Sequence, residues 1–333
     1  MTIPCSRKKY LLNYLSAPLF FSLVDYRNNY FISNNSDKII EFYNGFENRD
    51  QLIQWMKERP KGVANMHEVE GNKEIIVVIP TADFNGKYAI ECRENIFKGL
   101  HIIFVESGEV PDPYFNYAHN CNVGIKKAME YNPKWVILSN DDIRSSYNAK
   151  TLIIELSKLD NDTISTVFTF GSNQTASKYY IGRFTFFGSI IISKLGSRPN
   201  IGIFHKKYEM FFNLNRIRIR FKCRYIIMGD YKKVLERFFF RKLSPYYNFE
   251  AFGIFSSRFI RNHTPLLDEI YINAHEDQDL SIIMNKENDK IAWIKYSIEG
   301  IGGSTMGSDI LRQIRSLASD CYLNFKIEQG LLN

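Results

Sequence analysis

Apolar residues change their rhythm along this chain near residue 72. Residues 1–72 are of mixed character and end in a predicted helix over Asn48 to Arg59, stopped by Pro60 and Gly62. Beyond that point Ile75-Ile76-Val77-Val78-Ile79 forms an unbroken aliphatic run between Glu74 and Pro80, the pattern of a strand buried on both faces. A helical pattern over 87–98 follows, then a strand at Ile102-Ile103-Phe104-Val105 and a helix over 117–131. The alternation continues with a strand at Trp135-Val136-Ile137-Leu138, a helix over 149–159 and a strand over 164–170. Strands and helices alternating at this spacing predict a mostly parallel, doubly wound α/β sheet. After residue 178 the pattern is less regular, rich in aromatics and glycine, with no internal repeat and no low-complexity linker.

Ligands of such sheets bind beyond the carboxyl ends of the strands. Three predicted strands run into polar residues there: Thr81 with Asp83, Glu106 with Ser107, and Asn140 with Asp141 and Asp142. One polar strand end is what any exposed loop shows, so the coincidence of three carries the weight. Carboxylates at a strand end suit a hard divalent ion that keeps room for substrate phosphates. The plainer reading of Asn140-Asp141-Asp142 is a solvated turn before the helix that starts near Asn148. A second acidic cluster, His275-Glu276-Asp277-Gln278-Asp279-Leu280, opens a helix running to about Asn288. Its plainer reading is capping by Asp277 with Glu276 or Asp279 beside it, since carboxylates suit a helix N-terminus. Four or more carboxylates aimed at one place, however, repel one another unless a cation or a proton-transfer task holds them there.

The 333 residues, 45% hydrophobic and 24% charged, have an ordinary globular composition. No run of 18 apolar residues marks a membrane span. Arg7-Lys8-Lys9 followed by Tyr10 to Val24 resembles a signal peptide, but Asn13, Ser16, Pro18 and Ser22 interrupt it and no small-x-small cleavage pattern follows. The expectation is a buried or membrane-touching element. Five scattered cysteines without a Cys-x-x-Cys pair argue against a disulfide framework and a zinc site, and fit a reducing cytoplasm. Neither His-x-x-x-His nor Gly-x-Ser-x-Gly is present, so zinc and serine hydrolases lack their anchor residues.

The net charge of +7 is concentrated. Residues 206–242 hold twelve basic residues against three acidic ones, a local +9 that leaves −2 for the rest. Within it, Arg216 to Tyr225 alternates strictly, placing five cations on one face if extended, and Phe238-Phe239-Phe240 follows. Such a surface suits an anionic partner. Membrane headgroups would be met by Lys and Arg with Phe and Tyr at the interface. Nucleic acid would use the same residue types, with bases stacked on the aromatics, and the reading favours membrane over nucleic acid. A solvated strand face is the structural alternative.

Taken in order, these pieces resemble the inverting glycosyltransferases of family 2, with the GT-A fold. The resemblance rests on Val77-Val78-Ile79-Pro80-Thr81, on Asn116 and Asn122-Val123-Gly124-Ile125 with Ala128, and on Asn140-Asp141-Asp142 in the place of the Asp-x-Asp motif. It continues with Glu250 to Arg258, Leu267-Asp268-Glu269 and Glu276-Asp277-x-Asp279-Leu280-Ser281, and covers about residues 75–307. No single piece is specific; the ordered set is. It implies a Rossmann-like domain with a donor half at 73–177, an acceptor half at 178–307 carrying a basic aromatic insertion at 206–248, an extension at 1–72 and a helical segment at 308–333.

It also implies transfer of a sugar from a nucleoside diphosphate donor to a hydroxyl, with Mn²⁺ or Mg²⁺ as cofactor. Asp277 would be the general base, with Glu276 as the fallback. Pro80, Thr81, Glu106, Asn122, Asn140 and Asp141 would meet the donor, Glu106 standing where an Asp is more usual. Asp142 and Asp141 would hold the metal. Two departures are visible: Cys121 stands where relatives often carry Arg, and Ser297 to Ser304 lacks their His, Glu299 sitting near that place as a candidate ligand. Arg216, Arg218, Arg220 and Phe239 would face a glycan or lipid-linked acceptor at the membrane, which places the protein in the cytoplasm, peripheral on the inner face. The alternative from another class is an inert GT-A-like module that binds membrane or nucleic acid through the insertion. A processive synthase is disfavoured, because no Gln-x-x-Arg-Trp motif and no spanning helix is found.

Overall fold

The computed structural model describes residues 28–108, 112–169, 177–184, 209–210, 221–222, 225–229, 240–249, 251–286, 290–301, 307 and 309–332. Of the sequence expectations, the signal-like stretch at 7–24, Arg216, Arg218, Arg220, Phe239, Glu250 and Gly302 to Ser304 lie outside these residues.

After a helical turn over 28–31 come helices α1 (Ser36–Asn44) and α2 (Arg49–Glu58), each opened by an asparagine whose side chain accepts from an early N–H: Asn35 from Asp37 and Asn48 from Gln51. The sheet begins with β1 (Asn65–Val69) and β2 (Asn72–Thr81). Helix α3 (Lys87–Glu91) passes into a π turn at Cys92–Ile96, so the helix expected over 87–98 widens halfway. There follow β3 (Leu100–Glu106), α4 (Tyr117–Glu130), β4 (Trp135–Ser139), the short β5 (Ile143–Ser145), α5 (Ala149–Ser157) and β6 (Thr166–Thr169). Strand β7 (Ser177–Phe184) precedes the expected insertion, and β8 (Glu209–Met210), β9 (Phe221–Lys222), β10 (Tyr225–Gly229) and β11 (Phe240–Asn248) fall within 206–248. The chain closes with β12 (Phe252–Ser256), α6 (Ser257–Asn262), α7 (Glu276–Lys286), β13 (Ile291–Ile294), β14 (Ile298–Gly300) and α8 (Asp309–Glu328).

Seven strands form the main sheet in the order β1-β3-β2-β4-β12-β6-β13. β2 runs parallel to β3 and β4, and β13 parallel to β6. β1 and β12 are antiparallel to their neighbours. The α/β expectation therefore stands as a mixed sheet with a parallel core. Side-chain alternation along β2 shows why its run reads as continuously apolar: Ile75, Val77 and Ile79 join one buried cluster with α3 and α5, while Ile76 and Val78 join another with α4, α6 and α7. A third cluster lies off the sheet, where α1 and α2 pack on α8 through Ile39, Phe42, Leu52, Trp55, Ile314 and Leu317. Outside the main sheet, β7 lies between β10 and β11 in an antiparallel sheet, and β5 pairs with β14.

Helix α4 approaches the sheet closely at Gly124. A Cβ there would stand 2.4 Å from Val78 Cγ1 and 2.9 Å from Val105 Cγ2, so only glycine lets the helix sit at this depth.

Candidate functional site

Three parallel strands, β3, β2 and β4, end side by side at Glu106, Thr81 and Ser139, and Thr81 is the register partner of Glu106. Their carboxyl ends bring together the polar residues singled out from the sequence. Thr81 Oγ1 donates to Asp141 Oδ2 at 2.7 Å. The chain after β4 is held by Asn140 N–H donating to Ala251 O at 2.9 Å, and the Cys92 thiol of the π turn lies 3.5 Å from Asp141 O. Burial pushes the Asp141 carboxyl up, against the pull of Thr81. Asp142 is also pushed up, first by burial and then by Asp141, with Asn140 and the Arg312 cation of α8 acting in the opposite direction. Neither carboxylate forms an ion pair with a described residue.

Glu106 is engaged in this state. Its Oε1 accepts from Phe84 N–H at 2.9 Å and its Oε2 lies 2.9 Å from His67 Nε2, and these contacts, the Phe84 bond foremost, hold it below the usual carboxylate range. The His67 ring stacks on Phe84 at 4.4 Å, and the Arg93 guanidinium lies 4.6 Å from the Phe84 ring.

The second acidic cluster reaches the first through Tyr117, the opening residue of α4. Its hydroxyl donates to Asn140 Oδ1 at 3.0 Å, and its backbone N–H donates to Asn273 Oδ1 at 2.8 Å, four residues before Asp277. Burial keeps the Tyr117 phenol protonated, Cys121 adds to this, and the Glu276 and Asp277 carboxyls add less. One side chain thus touches the first acidic motif and lies in the field of the second.

Asp277 Oδ2 accepts from Asn248 Nδ2 at 3.0 Å, from the last residue of β11. Burial raises the Asp277 carboxyl, while Asn248, the His275 cation and backbone N–H groups favour its charged form. Glu276, 6% exposed, is raised by burial and then by Asp277, and its Oε2 finds no hydrogen-bond partner among the described residues. Of the pair, Asp277 has the side-chain hydrogen bond that favours an anion, and Glu276 is pushed up to about 8, toward its protonated form.

Other sequence candidates have structural roles here. Asn122 Nδ2 donates to Leu267 O at 2.8 Å and to Glu269 Oε1 at 3.0 Å, and its Oδ1 accepts from Leu267 N–H at 3.1 Å, clamping the segment that leads to Asp277. Pro80 is buried within β2, opposite Val105. Glu299 is exposed on β14, in register with Arg144 of β5, while its strand neighbours Ile298 and Ile143 are buried; it therefore faces away from the core. The structure brings Thr81, Asn140, Asp141 and Asp142 together and links them by Tyr117 to Asn273, four residues before Asp277. It does not bring Asn122 or Glu299 into that group.

Sequence reasoning passed over Tyr117, Asn248 and Arg312. Tyr117 follows the helix cap Asn116 and had a readable position; Asn248 and Arg312 carried no local signal. A cavity of about 600 Å³ lies beside α7, lined by Lys57, Lys61, Asp268, Glu269, Asp279 and Lys326 among others, and none of the residues just grouped lines it.

Among the described residues no group of three or more His, Cys, Asp or Glu side chains is arranged to hold a metal ion. None of their helices is long and apolar enough to cross a membrane. No protein-family model matches the chain, and no curated protein matches it.

Proposed function

We propose that this protein is a metal-dependent inverting glycosyltransferase of the GT-A kind, which moves a sugar from a nucleoside diphosphate donor to a hydroxyl acceptor. The observation that carries the reading is Tyr117, whose hydroxyl contacts Asn140 while its backbone N–H is held by Asn273 of the loop that leads into Asp277, because transfer needs a diphosphate-holding motif and a base at one place. Asp141 and Asp142 fit a hard cation: two largely buried oxygen donors side by side that form no ion pair with a described residue. Two carboxylates leave the remaining coordination positions to water and donor phosphates, as Mg²⁺ sites commonly do. When bound, the ion would supply Lewis-acid stabilisation of the departing diphosphate.

In this reading the chain's own residues do the following. Asp277, held as the carboxylate by Asn248, accepts the acceptor hydroxyl proton as that oxygen bonds to the anomeric carbon, and the bond from that carbon to the diphosphate oxygen breaks on the opposite face. Glu276, buried beside Asp277, is held toward its protonated form. Thr81 orients Asp141, and Glu106, with Phe84 and His67, flanks the donor's nucleoside end. The acceptor is a glycan or lipid-linked glycan, and the basic segment 206–242 brings the protein to an anionic membrane surface.

Thermal unfolding with a panel of nucleoside diphosphates tests the site. One of them raises the melting temperature when Mn²⁺ or Mg²⁺ is present, since a ligand of the folded state stabilises it by mass action. Asp142→Ala removes that metal-dependent gain. A panel without any metal-dependent gain contradicts the reading.

A further inference from the structure

The segment that delivers Asp277 is an irregular loop, and α8 holds it along its length. Ser319 Oγ accepts from Ile272 N–H at 3.0 Å. Tyr322 OH donates to Asp268 Oδ2 at 2.9 Å, and Lys326 Nζ bridges Asp268 Oδ2 at 3.0 Å and Asp279 Oδ2 at 2.5 Å. At the end of the loop, next to the acidic pair, His275 Nε2 forms an ion pair with Asp320, and its Nδ1 lies 2.7 Å from Gln278 Oε1. His275 adopts φ 71°, a left-handed conformation uncommon for a residue with a side chain, and its carbonyl accepts Asp279 N–H at 2.9 Å to start α7.

With both ring nitrogens facing acceptors, the imidazole is positioned as a cation. Resting on the transferase reading above, we propose that Asp320 is a positioning residue for the reaction: by gripping His275 it fixes the turn that carries Asp277 and holds the imidazolium beside that carboxylate. Asp320 approaches from α8, and Glu276, Asp277 and Gln278 approach His275 from α7. Around Asp277 stand Asn248 from β11, Tyr117 from α4, and Glu276 and His275 on its own segment. Asp320 foremost, then Asp277 and Gln278, raise His275 to about 9 against burial, so it is charged at neutral pH. That charge in turn favours the ionised Asp277.

The test uses the full chain and the variants Asp320→Asn, Asp320→Glu and His275→Gln. Side-chain NMR follows His275, its signal assigned by loss in His275→Gln. The midpoint lies near 9 in the wild type, falls in Asp320→Asn, and returns in Asp320→Glu. In parallel, the pH profile of kcat for nucleoside diphosphate release is recorded. Its acidic limb moves up by about one unit in Asp320→Asn and His275→Gln, a roughly tenfold loss of rate on the low-pH side, with donor KM unchanged. Asp320→Glu restores the limb. A purely structural role lowers rate equally at every pH and overturns the proposal. So does an unmoved limb in both variants, or an unmoved His275 midpoint in Asp320→Asn. A wild-type chain that turns over no donor at any pH overturns the transferase reading itself, and the proposal falls with it.

Discussion

Asn248 has one side-chain bond in the site, and that bond reaches the proposed base. Fully buried, it donates to a carboxylate that burial pushes toward its protonated form. Replacing Asn248 by Ala removes a hydrogen bond to a charged group, about 1.5–3 kcal/mol. The expected outcome is a fall in kcat of about tenfold or more near neutral pH, recovered in part at higher pH, read from the pH profile of donor turnover. At this scale the sequence was only partly readable. Asp141 and Asp142 stand out because an apolar strand runs straight into them, and Glu276 and Asp277 because they open a helix. Asn248 and Asp320 carry no such mark: their partners lie 29 and 45 residues away, and only the folded chain brings them together.

Elements depend on how closely they pack. At Gly124 an added methyl meets two valine side chains of the sheet, and neither can swing aside as the end of a long flexible side chain could. Gly124→Ala is therefore expected to destabilise the fold by about 1–3 kcal/mol, seen as a lower urea midpoint at unchanged slope. Lys326 makes the complementary case on α8. Lys326→Ala leaves the buried Asp279 without its cation and should cost about 3–5 kcal/mol. Lys326→Arg, which keeps the charge, should lose less, and comparison of the two urea midpoints checks this. Most elements of the donor half were legible in sequence to within a few residues, because period-2 and period-3.6 patterns report burial directly. Strand direction was not. Phe252–Ser256 is as apolar as its parallel neighbours, yet it enters the sheet antiparallel between β4 and β6, a choice fixed by connection and not by composition. The edge strand Asn65–Val69, mostly exposed, lacked the apolar signal altogether.

Across the whole molecule, α8 couples the helical layer formed with α1 and α2 to the acidic loop, so stability and site chemistry share one titration. His275 sits above its unfolded value of 6.5, at about 9. Its ion pair contributes fully below pH 6.5, and that contribution is lost as the pH rises through about 9. The melting temperature should therefore fall between pH 6.5 and 9.5, and the fall should be smaller in Asp320→Asn. Equal slopes in the two proteins contradict the coupling. This arrangement was hidden in the sequence, where residues 1–72 and 308–333 read as separate appendages. Their shared core of Ile39, Phe42, Leu52, Trp55, Ile314 and Leu317 joins the two ends of the described chain.

The central claim is that the Asn140–Asp142 turn and Asp277 serve one reaction. Release of nucleoside diphosphate from a panel of nucleotide sugars, with and without Mn²⁺ or Mg²⁺, measures it most directly. The account predicts slow metal-dependent release with one donor, accelerated by its hydroxyl acceptor. Asp142→Ala should abolish both rates, and Asp277→Asn should abolish the acceptor-dependent rate while sparing metal-dependent donor binding. Release that is indifferent to both substitutions, or absent with every donor, would contradict it.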